Sequence, residues 1–142
     1  MNNSELNNKF QEYIKQSNAV SITTSEKQGN EVINAAKLLF DCLAKGNKIM
    51  ICGNGGSASD SSHLAAEFTN RFSTDIERDG LAAISLATDS AFITAHANDF
   101  NFDTIFSRQI ESIGIKDDTL IAISTSGKSI NVIKAIDKAK SK

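Results

Sequence analysis

Three short apolar runs constrain this chain more than anything else in it. Lys48-Ile49-Met50-Ile51-Cys52, Leu81-Ala82-Ala83-Ile84-Ser85-Leu86-Ala87 and Thr119-Leu120-Ile121-Ala122-Ile123 are apolar at nearly every position, as strands buried on both faces must be. Each is followed by a break and then by helical spacing, with apolar residues three and four apart. Strand, loop and helix three times over specify an α/β fold with an open parallel sheet. The loops after the first and third runs hold four of the eight glycines, and the 142 residues contain no proline. Sharp turns therefore fall where those glycines cluster.

Before the first run the chain reads as helical. Leu6, Phe10, Tyr13, Ile14 and Ser17 form one periodic stretch, and Val32, Ile33, Ala36, Leu39, Phe40 and Leu43 form a stronger one. The polar segment Ser21 to Gly29 is expected to separate them, and Gly46-Asn47 to end the second. After the first loop, Leu64, Ala65, Phe68 and Phe72 share a helical face, and helical signals run from Ser90 through Ile113. A sheet whose third strand reads Leu-Ile-Ala-Ile would carry a long apolar edge, so it is expected to be covered by another chain or to continue beyond Lys142.

Composition narrows the function. Fifteen Lys+Arg against seventeen Asp+Glu leave a net charge of −2, which argues against a nucleic-acid partner, since those binders carry a basic face. No apolar run is long enough for a membrane helix, and Met1 to Leu6 lacks the layout of a secretory signal. Cys42 and Cys52 lie among apolar neighbours without metal-ligand spacing. They read as buried free thiols of a reducing cytoplasm.

The two glycine loops are where chemistry is expected. In open α/β sheets, ligands bind beyond the carboxyl ends of the strands, and a helix start presents unsatisfied N–H groups and a positive dipole to an anion. Gly53-Asn54-Gly55-Gly56-Ser57 and Ser124-Thr125-Ser126-Gly127-Lys128-Ser129 both read as phosphate cradles, the alternative being plain strand-to-helix turns. Neither is a familiar nucleotide motif. A P-loop needs glycine where Ala122 stands, and the dinucleotide spacing is broken at Ala58, with no acidic residue at the end of the second strand.

His63 and Glu67, four residues apart, share one helix face near the first loop. They can hold a metal, act as an acid/base pair, or form a plain surface ion pair. Asp60 reads as a first-turn partner of the helix dipole, and His96 as structural.

These pieces resemble the phosphoheptose isomerases, the sedoheptulose 7-phosphate isomerases of the sugar-isomerase (SIS) domain group. The likeness is carried by the stretch Gly53 to Phe72, by Asn98-Asp99-Phe100 with Ile105-Phe106-Ser107-Arg108-Gln109-Ile110-Glu111, and by Leu120 to Ser129 with Asn131-Val132-Ile133-Lys134-Ala135. The resemblance implies a doubly wound, flavodoxin-like sheet in one domain, residues 1–142. Residues 1–45 would be a helical oligomerisation segment packing a homotetramer, and 46–142 the sugar-phosphate core. It implies a substrate phosphate on Ser124, Thr125, Ser126 and Ser129, and a sugar lined by Asn54, Gly55, Gly56 and Ser57 with Asn98 and Asp99 nearby. Glu67 would be the catalytic acid/base and a zinc ligand, and His63 a second zinc ligand. The reaction would be a ketose-to-aldose shift through an enediol, supplying heptose for surface polysaccharide such as lipopolysaccharide.

One departure is large. The family pattern continues past this point with a Gln and a catalytic His that also bind zinc. A chain ending at Lys142 is therefore expected to isomerise weakly or not at all. The competing reading is a non-catalytic member of the group that binds a replication-initiator partner or senses a sugar phosphate. Members of the first kind tend to lose the metal-binding residues, whereas His63 and Glu67 are both present.

Overall fold

The computed structural model describes residues 2–142. Its first element, helix α1, spans Asn3–Ala44, 42 residues or about 63 Å of helix. Its start is a reciprocal cap: the Glu5 N–H donates to Asn2 Oδ1 at 2.9 Å and the Asn2 N–H to Glu5 Oε2 at 2.8 Å. At its end Gly46 turns into the left-handed region at φ +79°. There its N–H donates to the Leu43 carbonyl at 3.0 Å and the Asn47 N–H to the Cys42 carbonyl at 3.1 Å. That pair of bonds is a Schellman closure, which only a residue free to adopt positive φ completes cheaply. The separator expected at Ser21 to Gly29 does not break the helix. Serine and threonine cost only tenths of a kcal/mol each, with no proline to remove a backbone donor, and Ser21 folds its hydroxyl back onto the Ser17 carbonyl at 3.0 Å.

Residues divide into two compact units, Met1–Lys37 and Leu38–Lys142. The first is the N-terminal part of α1, on which Leu6, Phe10, Tyr13, Ile14, Val20, Ile22, Val32 and Ile33 are exposed. The second holds the sheet.

Three parallel strands, β1 (Ile49–Gly53), β2 (Ala83–Ser85) and β3 (Thr119–Ile123), lie in the order β2-β1-β3. Central β1 is buried throughout, pairing Ile49 with Ala83 and Thr119, and Gly53 with Ile123. Its alternation builds two cores. Met50 and Cys52 face Leu86, Ile105, Phe106, Ile110, Val132 and Ala135, the last five from α4 (Ile105–Ile113) and α5 (Ile130–Lys140). Ile49 and Ile51 face Cys42 and Ala65, from the last turns of α1 and from α2 (Gly56–Thr69). Helices thus cover both faces, the doubly wound arrangement expected. Among the described residues β3 is an edge strand, and each of its residues is half-buried.

Three expectations are corrected. Phe72 is not on the face of α2, which ends at Thr69, and is 84% exposed. The reason is Arg78, whose guanidinium donates to the carbonyls of Glu67 at 2.7 Å and Phe68 at 2.9 Å, taking acceptors that a further helical turn would use. The second strand is three residues rather than seven, because the Leu81 N–H turns to the Phe68 carbonyl at 3.0 Å. Helix over 90–113 is interrupted after α3 (Ser90–Asp99). There Asn101 is extended at φ −166° and accepts from Thr104 Oγ1 at 3.0 Å, a local bond that competes with helix. Among the described residues no helix is long and apolar enough to cross a membrane.

Candidate active site

Strands β1 and β3 are neighbours, yet α2 leaves β1 towards one face and α5 leaves β3 towards the other. That divergence is the switch point of a doubly wound sheet, where the crevice beyond the strand ends is open to a ligand. Both glycine loops lie on it.

In the first loop, a Cβ on Gly53 would meet the Ser57 carbonyl oxygen at 2.6 Å and Ser57 Cβ at 2.7 Å. Only glycine lets α2 start this close to β1. Gly55 then adopts φ +57° at the N-cap with no side-chain cap. The Ser57 N–H turns inward to the Asn54 carbonyl at 3.0 Å, while the N–H groups of Gly55 and Gly56 find no acceptor among the described residues. Gly55 and Gly56 are exposed, and Ser57 is buried.

The second loop is held open by its own hydroxyls. Ser124 Oγ accepts from the Gly127 N–H and Ser126 Oγ from the Lys128 N–H, both at 3.1 Å, and Ser124 Oγ lies 3.5 Å from Ser129 Oγ. Gly127 takes φ +64° at the tip. Thr125 and Ser126 are exposed, with Ser124 and Ser129 half-buried beneath them. Backbone N–H groups and hydroxyls converging at a helix start are what an oxyanion needs.

His63 Nε2 lies 3.0 Å from Glu67 Oε1, with side chains 76% and 28% exposed. The shared face is as expected. Glu67 sits in the last turn of α2, eleven residues from Gly56, or about 16 Å along the axis. Asp60 is corrected: α2 begins at Gly56 and has no acidic residue in its first turn. Asn98 and Asp99 end α3, where Asn98 Nδ2 donates to Asp99 Oδ1 at 2.9 Å, and neither bonds to a loop residue. His96 is buried, stacked between Phe92 and Phe100 with ring centroids 5.4 and 4.9 Å away, and its Nε2 lies 2.8 Å from Thr104 Oγ1. That is a structural histidine. Cys42 and Cys52 are free and buried, and burial pushes the Cys52 thiol up to about 12.

Among the described residues no three His, Cys, Asp or Glu side chains cluster as a metal site. His63 and Glu67 offer an imidazole and a carboxylate side by side, two of the four donors a tetrahedral zinc takes. These two donors suit that metal.

Two further residues shape the site. Arg78 lies in a loop without periodicity, so no sequence signal points to it. Asn131 is 3% exposed and forms two hydrogen bonds with Asn54. The available signal was a polar residue one turn before Ala135, on the buried face of α5.

The SIS domain family model matches residues 12–142. This chain belongs to the SIS domain family. Among SIS relatives, the phosphoheptose isomerase of Helicobacter pylori (strain Shi470) is 55% identical over 103 residues, 72% of this chain and 53% of that protein. The phosphoheptose isomerase of Shewanella sediminis is 51% identical over 135 residues, 92% of this chain and 68% of that protein. A solved phosphoheptose isomerase from Neisseria gonorrhoeae superposes with a TM-score of 0.88 at 38% identity, covering 96% of this chain and 70% of the other. The chain thus spans between about half and two thirds of the curated relatives it matches.

Proposed function

We propose that this SIS chain belongs to an isomerase converting sedoheptulose 7-phosphate to D-glycero-D-manno-heptose 7-phosphate, for heptose-containing surface polysaccharide. The carrying observation is that the hydroxyl-rich loop 124–129 and the glycine loop 53–57 follow adjacent strands, with the His63–Glu67 pair on the helix that the glycine loop opens. A heptulose 7-phosphate is charged at C7 and reacts at C1 and C2, so grip and chemistry belong at separate places. Ser124, Thr125, Ser126 and Ser129 hold the phosphate, and Asn54, Gly55, Gly56 and Ser57 line the sugar, with Asn98 and Asp99 as further polar contacts. The phosphate grip supplies positioning, which lowers the entropy cost of the proton transfer.

Glu67 acts as the base. Its carboxylate removes a proton from C1, leaving an enediolate, and returns it to C2, while the proton of the C1 hydroxyl passes to O2, so that the aldehyde forms at C1 and a hydroxyl at C2. His63 and Glu67 are the residues here that would hold zinc, which when bound would supply stabilisation of the negative charge that develops on the substrate. The Arg78 hydrogen bonds to the last turn of α2 keep Glu67 on helical backbone while it works.

The assembly is proposed to be a homotetramer packed through α1, in line with the apolar side chains that its first unit exposes. The compartment is proposed to be the cytoplasm, in line with the two buried free thiols.

Glu67→Gln tests the reading. It keeps shape and removes the base, so kcat falls by about 10²–10⁴-fold while sugar-phosphate affinity stays within about threefold. Turnover that survives the substitution removes Glu67 from the chemistry.

A further inference from the structure

Beyond the Gly53–Ile123 pair the β1–β3 ladder stops, and the two loops leave for opposite faces. Among the described residues, one hydrogen-bonded link joins them past that point. Asn54 Nδ2 donates to Asn131 Oδ1 at 2.9 Å, and Asn131 Nδ2 donates back to Asn54 Oδ1 at 2.8 Å. These residues stand 77 positions apart, Asn54 at the end of β1 and Asn131 in the first turn of α5.

The Val132 N–H donates to Asn131 Oδ1 at 3.0 Å as well as to the Ser129 carbonyl at 3.1 Å, so the Asn131 oxygen accepts from that backbone group and from Asn54, while its NH₂ donates to the Asn54 oxygen. A primary amide opposite a primary amide closes such a ring with both donors and both acceptors used. A carboxylate at 131 would set oxygen against oxygen, and an apolar residue would leave Asn54 without its partner in a half-buried place.

We propose that Asn131 is a positioning residue of this site, locking the sugar loop to the phosphate loop so that one sugar phosphate is met by both in register. This rests on the isomerase reading above. It also changes the part played by Asn54: its side chain is committed to the tether, and its neighbours Gly55 and Gly56 present their backbone N–H groups to the ligand.

The test compares two ligands, inorganic phosphate and sedoheptulose 7-phosphate, by calorimetric titration of the whole chain. Phosphate engages the second loop alone, whereas the sugar phosphate needs both loops at a fixed separation. Asn131→Ala is expected to weaken the sugar phosphate by at least about tenfold and inorganic phosphate by less than about threefold. Asn54→Ala, at a half-exposed position, reads the same pair from its other side, and the double variant is expected to lose no more than either single one. Should Asn131→Ala fail to fold, the isosteric Asn131→Asp and Asn54→Ala carry the comparison. Equal weakening of both ligands, no weakening of either, or losses that multiply in the double variant would overturn the tether. A wild-type chain that binds neither ligand overturns the isomerase reading and the tether with it. One that binds sugar phosphate unaffected by these substitutions overturns the tether alone.

Discussion

At the scale of single residues, the site depends on positions whose chemistry has no substitute. Gly53 is one: any Cβ meets the Ser57 backbone at 2.6 Å, and backbone cannot give way as a flexible side chain would. Gly53→Ala is expected to destabilise the fold by about 1–3 kcal/mol, read as a lower denaturation midpoint, and to weaken sugar-phosphate binding because Gly55 and Gly56 shift with the loop. Asp118 is another. Burial alone would raise its pKa, but the N–H groups of Ile115 and Lys48, the Lys48 ammonium and the Asn47 amide together outweigh that and hold it below its ordinary 3.8. A depressed folded pKa contributes stability that is present above the unfolded value and lost as pH falls through the folded one. Asp118→Asn is therefore expected to flatten the acid limb of the stability profile below about pH 4. Individual residues were legible in the sequence where glycine, serine and histidine stood in dense motifs. Asn131 and Arg78 were not, because their roles arise from partners that only the fold brings near.

At the scale of elements, periodicity locates the three strands and the helices of the sheet-bearing unit, with α3 and α4 as one stretch, but misplaces several of their ends. Thr119 to Ile123 is the third strand as read. The second was read at seven residues and is three, since hydropathy does not register that the Leu81 N–H is drawn to the end of α2. The end of α2 itself is set by Arg78. Arg78→Ala removes charge-assisted bonds to the Glu67 and Phe68 carbonyls and is expected to cost about 1.5–3 kcal/mol. In α1 the reverse error occurred, a break being read where the helix continues. Gly29 lies inside it, and a Cβ there would meet nothing within 4 Å. Gly29→Ala is therefore expected to stabilise the helix by up to about 1 kcal/mol, seen as a higher melting temperature by circular dichroism. A lower one would restore the break.

At the scale of the whole molecule, the parallel sheet follows from three runs too apolar to leave either face wet. Cys52, central in that sheet, reports on it directly. Its thiol is pushed from 9.0 up to about 12 by burial, so the folded state disfavours the thiolate. That contribution is complete below the unfolded value and is lost as pH rises from about 9 towards 12. Thiol reagents at pH 8 are expected to modify Cys52 only at the rate of unfolding. What the sequence could not disclose at this scale is which helix covers which face: α2 packs on the face of Ile49 and Ile51, and α4 and α5 on that of Met50 and Cys52. A strand apolar on both faces carries no alternation that would tell them apart.

In the proposed site, two loops on adjacent strands meet one sugar phosphate and serve Glu67. Titrating sedoheptulose 7-phosphate into isotopically labelled protein tests it most directly. The amide resonances of Gly55, Gly56, Thr125 and Ser126 and the side chain of Glu67 are expected to move together along one saturation curve. Movement confined to a single loop, or a Glu67 that does not respond, would contradict it.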